Sequence, residues 1–172
     1  MREIPLTQAQ VALIDDDDYG LVSGHTWYAH WDSKAKTFYA VTHVRGDTRS
    51  RSTLLRMHTL IMGKKGVDHR DHNGLNNQRS NLRVATSAQN NANQRRRSDN
   101  STGYKGVSLD RGRYRAYINL DGQFIHLGTY DDSRQAARAY DKAARELFGE
   151  FAYPNFPESS IDWDSIEPIF IG

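Results

Sequence analysis

Apolar positions recur along this chain with two different periods, and the change from one to the other marks out its elements. Residues 3–6 and 11–14 are short strand-like runs, and the acidic turn 15–18 comes after them. Two further runs, 27–31 and 38–44, are rich in aromatic and β-branched residues and predict strands. Residues 53–62 are apolar on all sides and end at Gly63, as a buried helix does. Residues 67–94 are crowded with Asn and His, and 94–103 hold almost nothing apolar, which predicts a linker. From Tyr104 the period shortens. Residues 104–109, 113–120 and 123–130 predict three strands, the last two joined by Asp121-Gly122, a strong two-residue hairpin signal. In the middle run Tyr114, Ala116, Ile118 and Leu120 alternate with Arg113, Arg115, Tyr117 and Asn119, giving one apolar and one basic, polar face. Residues 131–148 return to helical spacing, through Ala136, Ala139, Tyr140, Ala143 and Leu147, and Gly149 can stop the helix. A sheet covered on one side by that helix leaves its polar face open. The tail 158–172 has four acids and no base; it either packs back or stays free.

Composition narrows this picture to an α+β chain with two small cores. The 172 residues are 37% hydrophobic, which suits two small domains better than one large one. The expected division is 1–94, a linker at 95–103, 104–157 and the tail 158–172. There is no cysteine, so a metal must sit on oxygen or imidazole ligands. No apolar core comes after the opening Met-Arg-Glu-Ile-Pro, and no run approaches the ~20 apolar residues of a membrane span. The expectation is therefore a cytoplasmic protein of a bacterial or phage-infected cell. It needs no membrane and no obligatory protein partner, and a monomer is preferred.

Charge adds a partner. Residues 1–50 carry five Lys/Arg against seven acids, 51–130 fourteen against five, and 131–172 four against nine. A basic middle between acidic ends suits a polyanion.

The chemistry is concentrated in residues 67–91. Val67–His69 and residues 82–85 read as two short strands around an Asn/Gly-rich loop, and Ser87 can cap a helix holding Asn90. Such a ββα arrangement gathers Asp68, His69 and Asn90. A carboxylate and an amide oxygen are hard ligands suited to Mg²⁺ or Mn²⁺, and an adjacent imidazole takes a proton from water near neutral pH. Phosphodiester hydrolysis needs that pair, a nucleophile and a cation on the leaving oxygen.

These residues resemble the HNH endonucleases, in the Asp-His…Asn…Asn branch found in phage and intron-associated homing enzymes. The likeness runs from His58 to Gln94 and includes Met57-His58, Asp68-His69, Asn76-Asn77, Asn81-Leu82 and Asn90. It implies His69 as general base, Asp68 and Asn90 as ligands of one divalent metal, and Asn81 as the brace that orients His69. Many relatives place a second His where this chain has Gln94, which leaves two protein ligands. His58 is either a core histidine or a phosphate contact. His69 and His72 as a zinc pair is a minority reading. The acidic run 15–18 reads as a turn opening a short helix rather than a metal cluster.

Residues 104–157 resemble an AP2/ERF-type DNA-binding domain, through Tyr104-Lys-Gly-Val107, Tyr114-Arg-Ala-Tyr-Ile118, Leu127-Gly-Thr-Tyr130, residues 136–144 and Asn155-Phe-Pro157. The resemblance implies an open sheet face in the major groove of double-stranded DNA. Lys105, Ser108, Arg113, Arg115, Tyr117, Asn119 and His126 would face DNA, with Ile118, Ile125 and Leu127 against the helix. Plant members carry more Arg and Trp on that face, so tolerant specificity is expected here. Arg95, Arg96 and Arg97 would add phosphate or minor-groove contacts. Two readings stand: a DNA-cutting homing-type enzyme, or a transcription-factor-like binding protein with a decayed nuclease part. An intact Asp68, His69, Asn81 and Asn90 favours the first.

Overall fold

The computed structural model describes residues 1–45, 52–96 and 100–157. The fold is α+β, and its contacts divide it into two compact units, Met1–Thr86 and Ser87–Gly172. Arg97 and the tail 158–172 lie outside the described residues.

The first unit opens with an antiparallel hairpin, β1 (Arg2–Pro5) and β2 (Val11–Ile14). A 3-10 turn, Asp16–Asp18, leads into the one-turn helix α1 (Tyr19–Val22). An antiparallel meander comes next, β3 (Tyr28–Asp32), β4 (Thr37–Arg45) and β5 (Ser52–Arg56), in the order β3-β4-β5. Helix α2 (Met57–Met62) then leads to the two-stranded pair β6 (Val67–His69) and β7 (Leu82–Val84). Ala12, Ile14, Val22, Trp27, Ala40, Met57, Ile61, Val67, Leu75 and Leu82 form one buried cluster. Strands of three or four residues cannot stand alone, and that shared core is what holds them.

The single helix expected over 53–62 is a strand up to Arg56 and a helix only from Met57. Val44 and Thr42 of β4 pair with Thr53 and Leu55, so the long β4 edge recruits the first half of the segment. Apolar residues on every side do not distinguish a buried helix from a strand. The edge decided it.

The loop between β6 and β7 lies tightly against β4. A Cβ at Gly74 would stand 2.5 Å from the Phe38 carbonyl oxygen and 2.6 Å from the Tyr39 ring, so only glycine allows the approach. Gly74 N also donates to Thr37 Oγ1 at 3.0 Å.

The second unit begins with α3 (Ser87–Asn93). Asn100 then closes a side-chain-bonded turn, accepting from Thr102 N and Gly103 N at 3.0 and 2.9 Å. Strands β8 (Val107–Asp110), β9 (Arg113–Leu120) and β10 (Gln123–Tyr130) form an antiparallel meander covered by α4 (Ser133–Phe148). Asp121 and Gly122 take φ of 50° and 88°, the left-handed pair that a two-residue hairpin requires. Asp132 caps α4, its Oδ1 accepting from Arg134 N and Gln135 N at 2.8 and 3.0 Å. Small buried residues, Ala136, Ala137, Ala139, Ala143 and Ala144, bring the helix close to Ala116, Ile118 and Leu127.

Candidate active site

Register brings the first two groups together. Asp68 pairs with Arg83 across β6 and β7, and cross-strand partners share a face. Arg83 donates from Nε at 2.9 Å and from Nη2 at 2.8 Å, both to Asp68 Oδ2, and both side chains are buried. Removing one partner of such a pair strands a buried charge, at about 3–5 kcal/mol.

Strand alternation sends His69 to other neighbours. Its ring lies edge-on to His58 at 4.9 Å between centroids and 5.8 Å from Tyr39. The Tyr39 ring touches His58 at 5.6 Å and carries the Arg56 guanidinium 5.2 Å from its centroid. Burial pushes the His69 imidazole below its ordinary range, although Asn77, Asp71 and Asp68 pull the other way. Burial, with His69 and Arg56 adding to it, pushes His58 down to about 3. Both rings are therefore neutral near pH 7.

Asn77 fixes the polarity of the His69 ring. Its side chain is fully buried and its Oδ1 stands 3.3 Å from His69 Nε2. The Asn77 amide nitrogen donates to Leu75 O at 3.1 Å, which keeps Oδ1 turned toward His69. An acceptor facing Nε2 requires the proton there, so the lone pair of the neutral ring is on Nδ1.

Asn81 does other work. Its Oδ1 accepts from Asp71 N at 3.1 Å, and its Nδ2 donates to Asp71 Oδ1 and Asn76 O at 2.9 and 2.8 Å. Asn81 thus ties together the loop around His69, and the side chain at the ring is Asn77. Burial alone would raise the Asp71 carboxyl, but hydrogen bonds from Asn73, Asn76 and Asn81 outweigh it and hold the carboxyl low.

The acidic turn anchors that loop. Leu13 N donates to Leu75 O, and Asn77 N to Leu13 O, each at 2.8 Å. Asp15 accepts from Gln78 Nε2 and Arg79 N at 3.2 and 2.8 Å. Buried Asp18 receives Arg79 Nε at 3.1 and 3.0 Å on its two oxygens and Nη2 at 2.7 Å on Oδ1. The turn opens α1, and two of its carboxylates are spent on residues 78 and 79.

Asn90 lies on the exposed side of α3, in the second unit. Among the described residues no three His, Asp or Glu side chains converge as a metal cage. The carboxylate of Asp68 and the amide of Asn90 are oxygen donors of the kind a hard cation takes, whereas zinc favours thiolate and imidazole.

The open face of the second sheet carries most of the expected DNA-facing residues. Arg115 pairs across strands with Ser108 and Thr129, Tyr117 with His126, and Asn119 with Phe124. Arg113 Nε donates to Asp131 at 2.8 Å and Arg115 Nη1 to Asp110 at 3.1 Å. His126 touches Thr129 at 3.2 Å, and Asn119 Oδ1 accepts from Gly122 N at 3.1 Å. Phe124 is 73% exposed and lies 5.9 Å from the Tyr117 ring, an aromatic pair in an otherwise polar face. Arg95 and Arg96 are exposed. Lys105 is placed elsewhere: its ammonium donates to the carbonyl oxygens of Ala92 and Gln94, and burial pushes it down to about 8.

Sequence reasoning gave no role to Tyr39, Arg56, Asn77 or Arg83. Asn77 stood in the Asn76-Asn77 pair without one, and Arg83 left a signal as the residue opposite Asp68 once the two strands are paired.

The chain is similar to proteins of two kinds. The family described as HNH endonuclease matches residues 62–92. An uncharacterized HNH endonuclease of Acanthamoeba polyphaga mimivirus is 36% identical over 150 residues, 84% of this chain and 74% of that protein. Dehydration-responsive element-binding protein 2D of Arabidopsis thaliana is 49% identical over 59 residues, 33% of this chain and 29% of that protein. APETALA2-like protein 2 of Oryza sativa subsp. indica is 38% identical over 69 residues, 38% of this chain and 16% of that protein. The chain thus spans less than a third of either plant protein.

Proposed function

Because the chain belongs to the HNH endonuclease family and carries an AP2-type DNA-binding domain, we propose that it is a homing-type nuclease hydrolysing phosphodiester bonds of double-stranded DNA. The observation that carries this reading is the His69 ring, buried and held at Nε2 by Asn77, one residue from Asp68. Its Nδ1 takes a proton from a water molecule as the water oxygen bonds to phosphorus. The phosphorus–oxygen bond on the far side breaks, and the departing oxygen takes a proton from solvent water, leaving a phosphate and a hydroxyl. Asp68 and Asn90 would hold one divalent cation, Mg²⁺ or Mn²⁺. When bound, that cation supplies positive charge to the phosphate and the departing oxygen. Arg83 fixes the Asp68 carboxylate through Oδ2. Asn81 keeps the loop from Arg70 to Asn77 in shape.

The sheet face of Arg113, Arg115, Tyr117, Asn119, Ser108 and His126 docks in the major groove, and Arg95–Arg97 add phosphate contacts. One such site per chain nicks one strand as a monomer, and a double cut needs a second copy or a second visit.

The test is cleavage of long DNA with Mg²⁺ or Mn²⁺, read on a denaturing gel, for the native chain and His69→Ala. Native protein should cut and His69→Ala should not, with DNA affinity unchanged. Equal loss of binding and cutting would show that His69 is not the base. Native protein that binds DNA but never cuts would instead be a binding module of the kind the plant matches suggest.

A further inference from the structure

The expected place for Lys105 is on the DNA-facing side of the sheet, but its ammonium is committed inside the second unit. It donates to the carbonyl oxygens of Ala92 and Gln94, the latter at 2.7 Å. Those carbonyls stand at the C-terminal end of α3, where the last turn has no intrahelical donors and the helix dipole is negative. The same ammonium lies 5.9 Å from the Tyr140 and Tyr153 ring centroids.

The Lys105 backbone is fixed as firmly as its side chain. Lys105 N donates to Asn155 Oδ1 at 2.7 Å, and Asn155 Nδ2 returns to Lys105 O at 3.1 Å. Asn155 N and Nδ2 donate in turn to Asp141 Oδ1 at 2.7 and 2.9 Å, and Phe156 N donates to Asp141 Oδ2 at 2.8 Å. Asp141 is fully buried on α4. A continuous hydrogen-bonded path therefore runs from α4 through Asn155 and Lys105 to the end of α3. A seven-residue helix does not persist on its own propensity, so the groups that hold its end set its position.

We propose that Lys105 is a positioning residue rather than a DNA contact: it fastens the helix carrying Asn90 to the sheet-and-helix body that grips DNA. This rests on the reading of Asn90 as a metal ligand. Seating the sheet on DNA then also places the Asn90 amide oxygen, so grip and metal recruitment are mechanically one event. A DNA contact at Lys105 makes the opposite set of predictions.

Lys105→Met in the full chain separates the two. Amide hydrogen exchange should show lost protection over residues 87–96 while residues 107–130 keep theirs. DNA affinity without metal, and its slope against salt, should not change. The Mg²⁺ or Mn²⁺ concentration giving half-maximal cleavage should rise about tenfold or more. Lys105→Arg, which keeps donors for both carbonyls, should restore the native metal requirement. Should Lys105→Met also unprotect the sheet, Lys105→Gln carries the same comparison with one donor retained. A salt slope shallower by about one contact, with native exchange and metal requirement, would overturn the proposal, as would no change in any readout. A native chain that never cleaves would defeat the nuclease reading instead, and hydrogen exchange would still decide whether Lys105 holds the helix.

Discussion

Asn77 carries no charge and no reactive atom, yet it selects which nitrogen of His69 is basic. Asn77→Ala should leave the ring free to exchange tautomers and to tilt, lowering cleavage about a hundredfold with DNA affinity intact. Nitrogen NMR of the native protein should show the His69 proton on Nε2, and in Asn77→Ala a mixture; an unchanged tautomer would remove Asn77 from the role. His58 contributes to acid stability. Burial keeps its folded imidazole down to about 3 against an ordinary 6.5. Across that window the unfolded chain binds more protons, so stability present above about 6.5 drains away as pH falls toward 3. His58→Phe keeps an aromatic ring against Tyr39 and His69 and should lose less stability between near-neutral and mildly acidic buffer. The difference should be on the order of a few kcal/mol, read from denaturant melts, and parallel pH dependence in both proteins would contradict it. The adjacency of Asp68 and His69 was readable in the sequence because it is local. The His69 partner was not, since an Asn-rich loop offers several amides and only the folded loop shows that Asn81 is spent on Asp71 and Asn76.

Elements were legible wherever two signals agreed. The β9–β10 hairpin had strict alternation and Asp121-Gly122, and α4 had helical spacing with Gly149 after it, so both match their expected spans to within two residues. Asp132→Ala should cost about 1 kcal/mol, visible as a lower melting temperature of the second unit. In the segment 53–62 Gly63 does end α2, but apolar residues all round do not separate helix from strand over the first half. The sheet face also makes a functional prediction. Arg113 and Arg115 are each held by a carboxylate, Asp131 and Asp110. Replacing both arginines with alanine should weaken DNA binding and blur site choice, while cutting at high enzyme concentration persists. Cleavage mapping that returned the native site preference would show that another surface reads the sequence.

For the whole molecule, charge distribution pointed to a polyanion and composition to two small cores, and the contacts do divide the chain into two units. The linker-like stretch from residue 94 suggested a boundary there, whereas the contacts group α3 with the sheet and helix of the second unit. The tie through Lys105 joins positions separated by that stretch, and nothing periodic in the sequence announces it. Ligand counting makes a prediction at this scale too. With one carboxylate and one amide as protein donors, a divalent ion should bind the free protein weakly and be recruited mainly when DNA adds phosphate oxygens. Calorimetric titration with and without uncleavable DNA checks this, and tight zinc binding by the free protein would point to His69 and His72 instead. The anchoring of residues 75–79 by Leu13, Asp15 and Asp18 has a kinetic consequence. Arg79 and Asp18 are 61 positions apart, so the loop that orients His69 closes only after a large stretch of chain has been synthesised and collapsed. Local pieces such as the β3–β4 hairpin should gain exchange protection first in refolding, and the Asn77 amide among the last. The nascent chain would then acquire its fold before its capacity to cut.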